Sequence, residues 1–285
     1  MIRSLPKTRG YSIGFLSYVI VFYIFLFAPL VITSILAFNN SDFPSLPWNG
    51  FSLDWFFANT AQRVGIFHDA TNLHSIWVSL DTAFFVSIFS LIIGTMAAFL
   101  FEQEDFRFKQ ALYFLALAPL VIPGVILGIS LLLATNSAGT FFENNFGIDV
   151  EIFRPSFWLV VLGQFSFIST FVLLVVSARL KKFDATLEEA ALNLGATRFE
   201  AIRYIIIPFL RPALIGAWAV AFMMSFENFN TTLFLVGAQT TLPINLYLQV
   251  RDGSTPIINA IAFLLIVTTS VIAVTNLIFT KDSQT

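Results

Sequence analysis

The chain has 285 residues and a formal net charge of −2; 57% of its residues are hydrophobic and only 11% are charged. A soluble domain usually carries about 25% charged residues, so this composition excludes an ordinary water-soluble fold and predicts an all-α polytopic membrane protein. The absence of cysteine excludes disulfides and thiol chemistry, and two histidines, His68 and His74, are too few for a histidine metal cluster. We predict no metal site and no catalytic residues.

Six apolar stretches are long enough to cross a bilayer, whose hydrocarbon core takes about 20 apolar residues to span. The first follows a basic arm with Arg3, Lys7 and Arg9, and it is too long for a signal peptide and lacks a small-residue cleavage site. We expect it to be an uncleaved span of one transmembrane domain, residues 1–285. The predicted spans are residues 13–38, 75–101, 110–134, 155–178, 212–230 and 256–279, with long loops at 39–74, 135–154 and 231–255.

The third predicted span contains three residues that disturb helices, Pro119, Pro123 and Gly124. Such residues persist in membrane helices only where neighbouring groups or water satisfy the freed backbone groups. We expect the same here.

The distribution of basic residues predicts the orientation of the spans. With the N-terminus inside, twelve lysines and arginines lie on one side, and only Arg63, Arg154 and Arg251 lie on the other. By the positive-inside rule, the basic side is cytoplasmic. Both termini, and residues 186–208 between the fourth and fifth spans, are therefore expected in the cytoplasm.

Residues 186–208 form the one long, charged, helix-forming segment outside the predicted spans. Thr186 with Glu189, and Thr197 with Glu200, fit the capping-box spacing S/T-x-x-E. Gly195 stands between them, where a left-handed residue can end a helix. The pattern predicts two short amphipathic helices joined by a tight turn; the first has an apolar stripe of Leu187, Ala190, Ala191 and Leu194. Two such helices are too polar to span a bilayer and must dock onto a partner.

Two acidic residues fall inside predicted spans. An ionised side chain at the bilayer centre costs about 3 kcal/mol, so such residues usually face a cavity. A rise of 1.5 Å per residue places Glu227 about 22 Å into the fifth span and Asp81 about 9 Å below the outer face in the second. We expect these carboxylates to meet in the outer half of the bundle, near Asn228 and Asn230. For Asp81, an interfacial acid paired with a loop arginine is the alternative.

Aromatic and amide side chains complete a candidate pathway. Trp77 and Trp158 begin the second and fourth spans on the outer side, and Gln164 lies in the middle of the fourth. Carboxylates with aromatic faces suit an organic cation, through charge pairing and cation–π contact. The alternatives are a belt position for the tryptophans and interhelical hydrogen bonding for Asn228.

In this topological position, the segment carries a recognisable pattern. Glu189-Ala190-Ala191, Gly195, Ile205, Ile207 and Pro208 match EAA-x3-G-x9-I-x-L-P, with isoleucine in place of leucine. This resembles the EAA loop of binding-protein-dependent ABC importer permeases, and we call residues 186–208 the EAA segment. Further motifs along nearly the whole chain are similar to the spermidine/putrescine-type subgroup: GFSLDW at 50–55, PLVIP at 119–123, TLP at 241–243, V-R-x-G at 250–253 and P-x-x-N-A at 256–260. That subgroup commonly has Ser-Phe-Asp-Asp in the fifth span, where this chain has Ser225-Phe226-Glu227-Asn228.

The resemblance implies a permease subunit in a bacterial inner membrane. Its EAA segment would dock into a cleft of a separate ATPase subunit, through Glu189, Ala190, Ala191, Gly195, Ala196, Phe199 and Pro208. For Glu189, a plain capping role is the alternative. The chain lacks G-x-x-x-x-G-K-[ST], so ATP and Mg²⁺ would be bound by the partner and no cofactor by this chain.

The expected partners are two ATPase subunits, a second permease subunit (similar or identical), a periplasmic substrate-binding protein, the lipid bilayer and a small-molecule solute; no nucleic acid is expected. The predicted substrate is a polyamine or related cation. Alternatives are the same machine for an opine, a modified amino acid or an iron chelate, a secondary transporter, or a membrane sensor whose helix pair docks a signalling partner.

Overall fold

The computed structural model describes residues 9–148, 150–253 and 255–282, and over these residues the regular structure is helical, as predicted. The basic residues Arg3 and Lys7 lie outside the described residues. The α-helices are α1 (Arg9–Leu36), α2 (Asp54–Phe57), α3 (Ala70–Gln103), α4 (Lys109–Val121), α5 (Gly124–Phe146), α6 (Phe157–Leu180), α7 (Ala185–Asn193), α8 (Arg198–Ala201), α9 (Ile207–Phe226), α10 (Thr232–Leu235), α11 (Leu242–Gly253) and α12 (Ile257–Asp282).

Five helical stretches of the described chain are long and apolar enough to cross a membrane: 10–36, 70–103, 124–146, 157–180 and 198–226. Two shorter apolar helices, Lys109–Val121 and Ile257–Val271, cover part of the third and sixth predicted spans. The count of six spans stays a prediction.

The third predicted span is wrong in its boundaries. Residues 110–134 do not form one helix, because α4 ends at Val121 and α5 begins at Gly124. Ile122 is extended (φ −74°, ψ 127°), which is the conformation favoured before a proline, here Pro123. The following loop was also placed too early, since α5 continues to Phe146 and ends on Gly147 in a left-handed conformation. Pro119 stays inside α4, and Thr170 of α6 donates a hydrogen bond to the carbonyl oxygen of Ala116 (2.8 Å) nearby.

Residues 74–247 form one compact unit. Its core gathers around α6, the most buried of the candidate spans, which packs against α9 and α4 and, beside Gly94, against α3. A helix that is apolar all round is typical of such a central position. The largest cluster of buried side chains comes from α3, α6 and α9: Val86, Ala98, Val161, Ile168, Val172, Leu173, Val176, Leu210, Ala217 and Ala221.

Residues 1–73 and 248–285 form the other compact unit. In it, α1 packs along α12, and the ring of Phe38 contacts those of Phe56 and Phe263. The predicted loop 39–74 is folded rather than irregular: Arg63 pairs with Asp42 (2.8 Å) and Asp54 (3.1 Å).

The predicted fifth span, residues 212–230, is shifted along the chain. One helical stretch runs from Arg198 to Phe226, which includes α8, a π-helical turn at Ile202–Ile206 and α9. Pro208 has no N–H with which to continue the α-helical ladder, and the chain changes register just before it, where Ile207 N–H bonds the carbonyl oxygen of Ile202. The second half of the EAA segment is therefore continuous with the membrane helix rather than separate from it.

Candidate functional site

The first helix of the EAA segment starts two residues earlier than predicted, and its cap differs. Asp184, not Thr186, is the N-cap residue of α7, because its Oδ1 accepts hydrogen bonds from the backbone N–H (3.1 Å) and the hydroxyl (2.8 Å) of Thr186. The predicted Thr186–Glu189 capping box is therefore wrong. The hydroxyl bond from Thr186, followed by its backbone N–H bond, lowers the pKa of Asp184 below its ordinary value.

The second capping box is confirmed. Thr197 is the N-cap residue of α8; its hydroxyl accepts from Glu200 N–H (3.3 Å), and Glu200 Oε2 accepts from Thr197 N–H (2.8 Å). Gly195 has φ +91°, so the predicted left-handed turn between the two helices is also confirmed. This turn needs glycine for its backbone conformation alone, because no atom lies within 4 Å of the position that a Cβ would take.

The EAA segment turns much of its apolar surface outward. No residue of α7 is buried, Leu194 is 89% exposed and Phe199 is 69% exposed. Glu189, Ala190, Gly195 and Pro208 are also exposed, and Ala191 and Ala196 are partly so. Inward, Ala201 and Ile206 are buried. Exposed apolar side chains of this kind, set among polar ones, are typical of a docking surface.

Two ion pairs lie at the end of α3, one to Arg198 of the EAA segment and one to Lys181, which comes just before it. Arg198 Nη2 lies 2.6 Å from Glu104 Oε1, and Lys181 Nζ lies 3.5 Å from Glu102 Oε1. Arg179, at the end of α6, donates to the carbonyl oxygen of Phe209 (3.4 Å) and stacks 4.1 Å above its ring. The start of the long helix 198–226 is thereby attached to two neighbouring helices.

Glu227 lies at the end of that helix rather than inside a span. The helix ends at Phe226, and Glu227 is the C-cap residue, with its N–H bonded to the carbonyl oxygen of Met223 (3.1 Å). Its side chain is exposed, and among the described residues its carboxylate has no hydrogen-bond or ion-pair partner. The predicted depth of Glu227, about 22 Å at 1.5 Å per residue, was counted from Pro212. That starting point does not hold, because the helical stretch begins at Arg198.

Gln164 does not lie on an open surface. It is fully buried (0% exposed), and both ends of its side-chain amide are bonded: Ser225 Oγ donates a short hydrogen bond to Oε1, and Nε2 donates to Thr232 Oγ1 (2.8 Å). Thr232 Oγ1 in turn donates to Asn228 Oδ1 (2.9 Å), which also accepts from Thr232 N–H (3.3 Å). We call Gln164, Ser225, Asn228 and Thr232 the amide network.

The turn that carries Glu227 also packs closely against α5 and α6. A Cβ on Gly128 would lie 2.7 Å from the carbonyl oxygen of Thr231, and one on Gly124 would lie 3.1 Å from Asn230 Cβ. On α6, a Cβ on Gly163 would collide with the side chain of Leu235. Among these three approaches, the one at Gly128 meets a backbone atom, so that position admits only glycine unless the turn itself moves. The helix break at Pro123 therefore lies near the end of α9.

The remaining candidates lie near the start of α3 and α6. Trp77 and Asp81 are one turn apart on α3, and both are exposed. The ring of Trp158 lies 5.4 Å from that of Phe85, one turn after Asp81. Among the described residues the carboxylate of Asp81 has no hydrogen-bond or ion-pair partner, so the alternative of a pairing with a loop arginine is not observed. The meeting of Asp81 with Glu227 stays a prediction.

Three residues that make the contacts described above were not predicted from the sequence. Ser225 stood in the recognised motif but was not assigned a role, and Thr232 was assigned to a loop. Glu104 belongs to the charged run EQED, which indicates a solvated loop equally well.

Five helical stretches of membrane-spanning length among the described residues define a multi-pass integral membrane protein. The chain belongs to the family of binding-protein-dependent transport system inner membrane components, whose model matches residues 90–281. It is therefore a multi-pass inner-membrane component of a binding-protein-dependent importer, a transport subunit rather than an enzyme.

Named relatives agree with the predicted subgroup. The chain is 28% identical over 261 residues to the spermidine/putrescine transport system permease protein PotC of Escherichia coli (strain K12), with 91% of each chain covered. It is 32% identical over 244 residues to the putrescine transport system permease protein PotI of the same strain, with 85% of this chain and 82% of PotI covered. The predicted resemblance to the spermidine/putrescine-type subgroup is confirmed.

Solved structures agree on the fold. A crystal structure of a bacterial ABC transporter involved in the import of the acidic polysaccharide alginate matches with a TM-score of 0.66 at 14% identity, covering 98% of this chain and 99% of that one. A crystal structure of a bacterial alginate ABC transporter in complex with alginate pentasaccharide-bound periplasmic protein matches with a TM-score of 0.66 at 16% identity, covering 92% and 90%. Likeness at this identity shows the fold, and function has to be argued from the site.

Proposed function

We propose that this chain is the permease subunit through which an ATP-driven importer moves a small organic cation, with polyamines such as spermidine and putrescine as the substrate class. The names of the PotC and PotI relatives support this class. The observation that carries the proposal for this chain is the exposed, unpartnered carboxylate of Glu227 at the end of the long helix.

In this proposal the chain pairs with a second permease subunit, similar or identical, and with two ATPase subunits that bind ATP and Mg²⁺. A periplasmic substrate-binding protein delivers the solute. Both termini and the EAA segment face the cytoplasm, in keeping with the excess of lysine and arginine on that side.

The surface of the EAA segment supports its docking onto the ATPase. Leu194 and Phe199 are the kind of exposed apolar side chains that a partner's cleft would bury, and Gly195 provides the turn between them. Docking here would pass the movement of the ATPase directly into the helix 198–226.

The carboxylate of Glu227 and two exposed tryptophans elsewhere in the helices support a cationic solute. A carboxylate without a protein partner is stabilised by a positively charged ligand, which replaces the hydration that the carboxylate loses when the ligand binds. Trp158 and Trp77 offer exposed aromatic faces on neighbouring helices, and such faces bind organic ammonium groups.

The test is uptake of radiolabelled putrescine and spermidine into proteoliposomes that contain the complete importer and its binding protein. Glu227→Gln should raise the KM for uptake at least tenfold, while Glu227→Asp retains most of the affinity because it keeps the charge. Glu143→Gln is the matched control, because Glu143 is also an exposed acid near a helix end.

Unchanged uptake by the Glu227→Gln importer would remove this residue from the pathway. Uptake of an opine, a modified amino acid or an iron chelate, with none of either polyamine, would contradict the substrate class. Uptake that persists without the ATPase and collapses with an uncoupler would contradict the ATP-driven mechanism.

A further inference from the structure

We propose that Gln164 is a positioning residue, which acts through the amide network to hold the turn that presents Glu227 to the transported cation. The inference rests on the proposed function, because it assigns Glu227 to the binding of the cation. It assigns Gln164 a different role from that of a pathway-lining side chain, since Gln164 has no exposed surface.

The amide network joins the chain on both sides of Glu227 to α6. Gln164 lies in the middle of α6 and reaches two points of the chain on either side of Glu227: Ser225, in the last turn of α9, and Thr232, at the start of α10. Because Glu227 itself is the C-cap residue, no further helical ladder orients the residues that follow it. Side-chain hydrogen bonds take over that task.

The network also explains the spacing of the Ser-Phe-Glu-Asn sequence. Ser225 and Asn228 point to hydrogen-bond partners within the protein, while Glu227, between them, is exposed. Asn228 uses its Oδ1 as an acceptor from the backbone N–H and the hydroxyl of Thr232, and a carboxylate oxygen would accept the same two bonds. An acid at this position, as in the spermidine/putrescine-type subgroup, would therefore keep the turn.

Because the amide network is buried, the loss of any one of its hydrogen bonds is costly. Gln164, Ser225 and Thr232 are each at most 3% exposed, so a side-chain group that loses its partner there has no water to replace it. Gly128 on α5 packs closely against the backbone of Thr231, since a Cβ there would lie 2.7 Å from its carbonyl oxygen, and this contact limits the ways in which the turn can relax. Loss of one hydrogen bond is therefore expected to displace the turn.

The experiment compares isosteric and conservative variants in the complete importer. Gln164→Met keeps the length of the side chain without its hydrogen bonds, and Thr232→Val keeps the shape of threonine without its hydroxyl. Thr232→Ser is the conservative variant that keeps the hydroxyl. Ser166→Ala is the matched control, because Ser166 is a neighbour on α6 whose hydroxyl bonds within its own helix, to the carbonyl oxygen of Gly163 (2.7 Å).

Two measurements are made on each variant. The first is the KM and the maximal rate of putrescine uptake, alone and combined with Glu227→Gln. The second is hydrogen exchange of the backbone amides of residues 226–232 in the purified importer without substrate, which reports the order of the turn and does not depend on what Glu227 binds.

The proposal expects Gln164→Met and Thr232→Val each to raise the KM about tenfold with little change in maximal rate, to speed exchange at 226–232, and to add nothing to Glu227→Gln. Thr232→Ser should recover the wild-type KM. If the effects multiply in the double variants, or if Gln164→Met leaves the KM unchanged while Glu227→Gln raises it, Gln164 is not a positioning residue for Glu227 and the proposed function stands. If Glu227→Gln transports normally although exchange at 226–232 is faster in Gln164→Met, the cation site itself is wrong, and with it this inference.

Discussion

Arg198 and Glu104 lie 94 residues apart in the sequence, and Arg198 Nη2 is 2.6 Å from Glu104 Oε1. This ion pair joins the start of the long helix 198–226 to the short loop after α3. Both side chains are about half exposed, at 60% and 49%, so the pair contributes only about 0.2–1 kcal/mol to stability. Its main effect is therefore on the position of the EAA segment next to α3, rather than on the free energy of unfolding.

Charge reversal tests this pair. Glu104→Lys should lower the apparent Tm slightly and slow transport at low salt, because it places two positive charges side by side; Arg198→Glu combined with Glu104→Lys should recover both. The difference should shrink at 0.5 M salt. Asp105→Asn is the control, since Asp105 lies in the same loop but pairs with Lys109, the first residue of α4 (3.1 Å). A double variant no better than Glu104→Lys alone would contradict the role of the pair.

The effect of a substitution at Gly195 should depend only on how readily the new residue adopts a left-handed backbone conformation. Because its φ is +91° and no atom lies within 4 Å of a Cβ, Gly195→Ala should destabilise the turn by about 1 kcal/mol and Gly195→Asn by less, while Gly195→Val should cost more. Transport should fall in the order Asn, Ala, Val at equal expression. Gly14→Ala, in α1, is the control, because that position is equally open and helical. Equal uptake in all three variants would show that the left-handed turn is not needed for docking.

Gly128 should not accept even one methyl group. A Cβ there would lie 2.7 Å from the carbonyl oxygen of Thr231, a backbone atom that can move only with the turn. Gly128→Ala should therefore lower the free energy of unfolding by about 1–3 kcal/mol and raise the KM for uptake, because the displaced turn carries Glu227. Thermal unfolding and uptake are measured together. Gly216→Ala, on α9, has no neighbour within 4 Å and should leave the Tm unchanged or slightly higher.

The cap of α7 should weaken in acid. The hydroxyl and N–H bonds from Thr186 lower the pKa of Asp184, so the stabilisation is fully present above the ordinary carboxyl pKa and is lost as the pH falls through the lowered value. A spin label at the exposed position of Leu192 should report increasing mobility of α7 as the pH falls in that range. Asp184→Asn keeps an acceptor oxygen but does not titrate, so its mobility should stay flat. A wild-type curve as flat as that of the variant would contradict the capping role.

Local signals in the sequence predicted the EAA segment well. Glu200 lies three residues after Thr197, and Gly195 stands between two helix-forming stretches, so each feature is complete within a few residues. The error at Thr186 has the same local origin: Asp184 competes for the cap from two residues upstream, and its carboxylate is the stronger acceptor.

Local signals in the sequence could not predict the tertiary contacts. A glutamine in the middle of an apolar span indicates a polar contact, but the partners of Gln164 lie 61 and 68 residues away, and nothing local distinguishes a buried network from an open pathway. Likewise, Pro119 and Pro123 both disturb helices, yet only Pro123 coincides with a break. Next to that break, α5 packs against residues 230–231, and this contact cannot be read from the sequence alone.

The unbroken helical stretch from Arg198 to Phe226 has a mechanical consequence. At a rise of 1.5 Å per residue, its 29 residues extend about 43 Å, with Phe199 near one end and Glu227 just beyond the other. Because no loop interrupts this stretch, a displacement of one end cannot be taken up by a flexible segment before it reaches the other end. The π turn at Ile202–Ile206, where the hydrogen-bond register changes, lies between the two ends, so a displacement of Phe199 would reach the carboxylate of Glu227 through this turn.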